Sequence, residues 1–208
     1  MKITESNQTG HGTRSVFRTE EDQFFAGRFG MLLFLGGVGM LFGAMILGIL
    51  AIKLDDSSWP TNLPPLPPAV WWSTAALVVS SITMQWAIWS SRKGQSLQVR
   101  VALGPTLLLG LFFLVSQTIA WFEWDTAIQA LLEEEQVPRL AATGFHVLTG
   151  LHAAHLIGGL IPLAVVTIAV IIGAWHAGRV RGMHYIGMYW HYMDLIWVSL
   201  VVTLLLVL

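Results

Sequence analysis

FGMLLFLGGVGMLFGAMILGILAI, residues 29–52, runs for 24 residues without a single charged side chain. About 20 mostly apolar residues in a helix cover the hydrocarbon core of a bilayer, so this stretch reads as a membrane span. Four further segments qualify by the same measure, at about 69–90, 101–124, 141–175 and 186–208. The fourth is too long to stand upright in a bilayer and is expected to tilt or to project beyond one face. Composition agrees with this reading. Charged residues make up 11% of the 208 and hydrophobic residues 55%, with a mean hydropathy of +0.66. A soluble domain carries about 25% charged residues. The fold class expected is therefore all-α, a polytopic bundle of five transmembrane helices over residues 28–208, preceded by a polar arm, residues 1–27.

The basic residues orient the bundle. Nine of the eleven Lys and Arg residues lie in three segments: the amino-terminal arm (Lys2, Arg14, Arg18, Arg28), the second connection (Arg92, Lys93, Arg100) and the fourth (Arg179, Arg181). With five spans all three fall on one side, which the positive-inside rule makes cytoplasmic. The amino terminus is then cytoplasmic and the carboxyl terminus periplasmic. An even number of spans would break the agreement. The first outer connection, KLDDSSWPTNLPPLPP at 53–68, holds five of the eight prolines and is expected to be an extended surface loop. The arm lacks the early apolar core of a secretory signal. Trp59, Trp71, Trp72, Trp121, Trp124 and Trp175 fall near expected span ends, where a half-wetted indole is favoured.

Inside lipid, helices associate through close packing and a few polar contacts. Gly39 and Gly43 on the first span form a GxxxG pair, and Gly150, Ala154 and Gly158 make a small face on the fourth. Ser73, Ser80, Ser81, Thr83 and Gln85 on the second span can hydrogen-bond across helices.

Ionisable groups deep in a membrane mark sites. His146, His152 and His155 lie on the fourth span, His191 and Asp194 on the fifth, and Gln117 and Glu123 on the third. The i, i+3 spacing puts His152 with His155, and His191 with Asp194, on one helix face each. Such faces can serve as metal ligands, as a bis-histidine haem site, as a proton relay or as polar knobs that lock helices together. The residues alone leave these open. Glu123, Asp125 and the run Glu133 to Glu135 read as solvated. The absence of cysteine excludes thiolate sites and disulfides. Walker-type phosphate loops, GxGxxG, GxSxG, HExxH, inverted repeats and an arginine ladder are all missing from the sequence.

Two stretches, FHVLTGLHAAHLIGG at 145–159 and YWHYMDLIWV at 189–198, resemble the characteristic segments of subunit III of the haem-copper respiratory oxidases. The family pattern is LTGxHxxHxxxG followed by YWHFxDxxW. Thr149, Gly150, His152, His155, Tyr189, Trp190, His191, Asp194 and Trp197 match it, and the pair Gly158 and Gly159 stands where the first segment ends. The family's FLxSE falls on Phe34 to Val38 and its QGxEY on Gln117 to Trp121. The two glutamates of those patterns are replaced here by Val38 and Ala120, so a proton-handling role attached to them does not carry over. The resemblance covers about residues 24–208 and fits a short, five-helix bacterial form in the inner (plasma) membrane.

It implies a subunit without catalytic, cofactor-binding or metal-binding residues of its own. Haem and copper are expected in the partner subunits I and II of a cytochrome c oxidase of aa3 type. The chain would pack on the catalytic subunit, bind phospholipids, and support proton uptake and turnover stability. Other respiratory complexes are further partners in a supercomplex, and no nucleic acid is expected. His152, His155, Trp190, His191, Asp194 and Trp197 are then expected to build a lipid-binding or helix-junction site. Alternatives are subunit III of a quinol oxidase or of a nitric-oxide-reducing system, and a free-standing di-haem membrane cytochrome.

Overall fold

The computed structural model describes residues 20–55, 63–133, 139–174 and 180–207. These form five α-helices: α1 Glu20–Asp55, α2 Pro68–Arg92, α3 Ser96–Glu133, α4 Arg139–Ile171 and α5 Val180–Val207. Four of them contain stretches long and apolar enough to cross a membrane, namely Phe24–Asp55, Ser96–Gln129, Thr143–Ile171 and Gly182–Val207. The sequence reading expects five. α2 has the length, 25 residues, or about 37 Å at 1.5 Å per residue. Its hydropathy is diluted by Ser73, Thr74, Ser80, Ser81, Thr83 and Gln85, several of which turn toward neighbouring helices.

Each helix starts or stops for a local reason. α2 opens on Pro68, the first-turn position where a missing N–H costs nothing. Its end turns at Gly94, whose φ of 68° is left-handed, while the Gln95 amide reaches back to the Ser90 carbonyl at 3.0 Å. That places a glycine where the helix must close. α4 stops at Ile171 ahead of Gly173, also left-handed at 74°, so it is shorter than the expected run to Trp175, a residue outside those described. α1 and α3 run past their expected apolar limits into polar sequence, because lipid ends where hydropathy drops but a helix need not.

The contacts fix every direction. Phe34 stacks on Tyr189, Gly39 meets Tyr192, and Lys53 Nζ donates to the Leu206 and Val207 carbonyls. Residue numbers rise together along both helices, so α1 and α5 are parallel. Between α2 and α5 they run oppositely, from Thr74 with Trp197 through Ser80 with Trp190 to Ile88 with Gly187. α3 and α4 are antiparallel too, through Trp124 on Phe145, Trp121 on Thr149 and Gly110 on Leu160. Odd helices therefore point one way and even helices the other. Arg28, Arg92, Lys93 and Arg100 gather at one end, and Lys53, Asp55, Glu123 and Asp125 at the other.

The core lies between α2, α3, α4 and α5, where Trp124, Trp190 and Trp197 are fully buried. Trp124, expected at the interface, instead stacks on Phe145 with centroids 4.6 Å apart. α1 lies at the margin, packed mainly along α5.

Candidate functional site: the helix junction around α5

α5 presents a different chemistry to each neighbour. Its three tyrosines, all that the chain possesses, fall at 185, 189 and 192, one stripe at helical spacing. The Tyr185 hydroxyl donates to the Phe24 carbonyl of α1 at 3.2 Å. The Tyr189 hydroxyl donates to the His155 carbonyl of α4 at 2.7 Å, and its ring lies against Gly159, where a Cβ would stand 2.5 Å from Cε1. Tyr192 presses on Gly39.

Toward α2 the contacts are a polar seam. Trp190 Nε1–H donates to Ser80 Oγ at 3.0 Å, and Trp197 Nε1–H donates to Thr74 Oγ1 at 2.9 Å. Between them, His191 Nδ1 is 2.6 Å from Ser81 Oγ and Nε2 is 3.2 Å from Gln85 Oε1. With the amide oxygen accepting, Nε2 carries the proton and Nδ1 accepts from the Ser81 hydroxyl. The two bonds, one on each ring nitrogen, fix the orientation of the ring. Asp194 lies beside this seam, both carboxyl oxygens buried and the Ser81 hydroxyl next to them.

The α4 histidines face elsewhere. His152 is fully buried in an aromatic cage, its ring 5.1 Å from Trp197, 5.7 Å from Phe113 and 6.2 Å from Phe42, centroid to centroid. Neither ring nitrogen has a partner, and the same holds for the amide of the buried Gln117. His155 Nδ1 bonds the Leu151 carbonyl of its own helix at 2.9 Å, and its ring meets Phe42 edge-on at 5.3 Å. His146 pairs with Asp125 at 3.4 Å near the acidic end of the bundle.

The six residues expected to form one site are thus divided. His152 and Trp197 touch, and Trp190, His191 and Trp197 share the α2 seam. The pair His152 and His155 faces α1 and α3, and the pair His191 and Asp194 faces α2. Among the described residues no three His, Asp or Glu side chains are gathered as metal ligands. All four also lie well inside their spans. Asp194 is near the middle of Gly182–Val207, about 18 Å from either end.

Of the small residues, Gly39 admits Tyr192, Gly43 has open space beside it, Gly150 comes to 3.8 Å from the Trp121 ring, and Gly158 to 3.9 Å from the Tyr189 hydroxyl. Ala154 is exposed. The glycine most tightly covered by Tyr189 is Gly159. On α2, Ser73 bonds its own helix at Val70, and Thr74 makes the crossing instead. The sequence reading passed over Thr74 and the tyrosine stripe, although the 185, 189, 192 spacing marks one helix face. Val38 and Ala120, standing where the related pattern has glutamates, are buried in the apolar core.

Fold and junction together define a multi-pass, all-helical membrane protein whose intramembrane polar groups mostly bind helix to helix. The family model for cytochrome c oxidase subunit III matches residues 3–207, and the chain belongs to that family. The cytochrome c oxidase subunit 3 of Corynebacterium diphtheriae is 27% identical over 205 residues, 97% of this chain and 89% of that protein. The probable cytochrome c oxidase subunit 3 of Nocardia farcinica is 30% identical over 133 residues, 63% of this chain and 62% of that protein. The subunit 3 of Pelomedusa subrufa is 28% identical over 206 residues, 95% of this chain and 73% of that protein.

Proposed function

We propose that this chain is the subunit III of a haem-copper terminal oxidase, most concretely an aa3-type cytochrome c oxidase of a bacterial plasma membrane. It packs on the catalytic subunit, with subunit II in the same complex, and carries no redox centre itself. Residues 28–208 make a five-span bundle with α2 as the remaining span, residues 1–27 are a cytoplasmic arm, and the carboxyl terminus is periplasmic. The observation that carries this reading is the use made of the motif residues. Tyr189, Trp190, His191 and Trp197 each bond a neighbouring helix, and His152 fills an aromatic cage, so the motif that resembles the oxidase subunit is spent on holding a bundle together.

Lipid binding is best supported at two apolar clefts beside α1. One, about 260 Å³, lies between Met45, Ile49 and Ile52 of α1 and Gly144 and Val147 of α4. The other, about 310 Å³, lies between Phe34, Gly159, Pro162 and Tyr189. Both are lined almost wholly by carbon and suit acyl chains. His152, His155, Trp190, His191, Asp194 and Trp197 are then helix-junction residues. With Val38 and Ala120 apolar, support of proton uptake and of turnover stability acts through packing on the catalytic subunit and not through carboxyl groups at those two positions.

Gentle detergent purification through a tag on this chain tests the proposal, with an optical spectrum and identification of the accompanying chains. Co-purification of a haem-copper catalytic subunit, with the haem spectrum lost when this chain is stripped from it, is expected. A chain that purifies alone and keeps haem or a stoichiometric metal overturns it.

A further inference from the structure

Two buried polar side chains inside the bundle have no protein group to bond. Both ring nitrogens of His152 and both amide atoms of Gln117 are buried and without a hydrogen-bonding partner. They stand at one level. Along the antiparallel α3–α4 contact, Gly110 meets Leu160, Trp121 meets Thr149 and Trp124 meets Phe145. The register carried between those pairs sets Gln117 opposite residues 152 and 153. Gln117 is one turn from Phe113, whose ring meets His152, and one turn from Trp121, which bonds Thr149. It therefore shares their α4-facing side. It lies twelve residues inside the end of Ser96–Gln129, a depth of about 18 Å.

The polar groups nearby are already used. Thr149 Oγ1 donates to the Phe145 carbonyl at 2.6 Å and accepts from Trp121. Trp197 Nε1–H serves Thr74, and His155 bonds its own helix. The other walls around His152 are the rings of Phe42 and Phe113, which offer only carbon. A buried imidazole or amide without a partner is costly. Small side chains leave room at this level. Ala153 lies four residues from Thr149 and seven from Leu160, on the face that α4 turns to α3. Ala120, one turn from Gln117, stands where the related pattern carries a glutamate, and withdraws the volume and the oxygens that a glutamate would bring. Both alanines are buried. With no three His, Asp or Glu gathered among the described residues, a cation finds too few ligands. Imidazole and amide each offer a donor and an acceptor, and a molecule of water matches both.

We propose that a water molecule is bound between His152 and Gln117, at the level of Ala153, and bridges α4 to α3 deep inside the membrane. It accepts a hydrogen bond from one side chain and donates one to the other. His152 then ties α4 to α3 through the water, at the place where its cage of Phe42, Phe113 and Trp197 also gathers α1 and α5.

The test is an electron cryo-microscopy map of the tagged full chain, in the assembly with which it purifies, at a resolution that shows ordered water. The expected result is a density peak within hydrogen-bonding distance, about 2.7–3.2 Å, of both a His152 ring nitrogen and a Gln117 amide atom. The two side chains bonded directly to each other, or no peak between them, overturns the proposal. A pair of variants tests the coupling independently. Gln117→Met alone, or His152→Phe alone, strands the polar group of the other residue, whereas the two together leave an apolar contact. Unfolding in detergent is expected to give the double variant a midpoint no lower than that of the weaker single variant. A midpoint lowered by both single shifts added together overturns the proposal. Should a variant fail to insert, the map of the unsubstituted chain decides. Neither readout depends on which chains accompany the protein, so the oxidase reading stands or falls separately.

Discussion

Tyr192 lies where only a glycine lets it lie. A Cβ added to Gly39 would collide with the Tyr192 hydroxyl, whereas one added to Gly43 would meet no atom within 4 Å. The GxxxG pair is therefore unequal. Gly39→Ala is expected to cost about 1–3 kcal/mol, as overpacking does, read as a lower unfolding midpoint in detergent. Gly43→Ala should stay within about 0.5 kcal/mol. The collision is with the hydroxyl oxygen, and the ring carbon that bears it stands at 3.5 Å from the added Cβ, an ordinary contact. Tyr192→Phe should then restore most of what Gly39→Ala loses, a coupling that a double-mutant cycle measures. Equal effects at the two glycines, or no rescue, would show that α1 does not seat on Tyr192 in this way.

Along an element the question is what holds α2, the most polar helix, in a bundle made for lipid. Its answer is the antiparallel seam to α5, in which the crossing bonds join an indole or imidazole to a short hydroxyl or to the Gln85 amide. Trp190→Phe and Trp197→Phe each remove one such bond and part of a fully buried ring. Each should cost about 2–3 kcal/mol, the bond and the cavity together, and the two should add, since they stand about 10 Å apart along the helix. Chemical unfolding of the single and double variants measures this; a double variant no weaker than either single one would mean that the seam does not bear on stability. The seam also shows what the sequence could and could not disclose. Four apolar runs are legible because lipid demands them, and α2 was placed by length and by the charges around it. Serines and a glutamine on α2 stood out as bond formers, but which residue meets which depends on the register between two distant segments, and nothing local encodes it. The rule that buried ionisable groups mark a site pointed to His152, His155, His191 and Asp194. It could not tell that α5 turns its faces so that the two pairs look away from each other.

For the molecule as a whole, the alternation of helix directions and the position of α2 stand or fall together. α1 and α2 lead to opposite ends of the bundle, with Asp55 closing α1 at the acidic end and Gln95 following α2 at the end that collects Arg28, Arg92, Lys93 and Arg100. If α2 crosses the bilayer and the basic end is cytoplasmic, the two positions face different compartments. The chain has no cysteine, so a single introduced thiol reports without background. Asp55→Cys is expected to react with a membrane-impermeant maleimide added to intact spheroplasts, and Gln95→Cys to react in inside-out vesicles alone. Labelling of both from the same side would mean that α2 does not cross, and the five-span bundle would fail with it. Labelling of each from the opposite side to that expected would keep α2 as a span but reverse the bundle. The basic end would then face the periplasm, and the charge asymmetry that oriented the chain would need a cause in the assembled complex instead of in the chain itself.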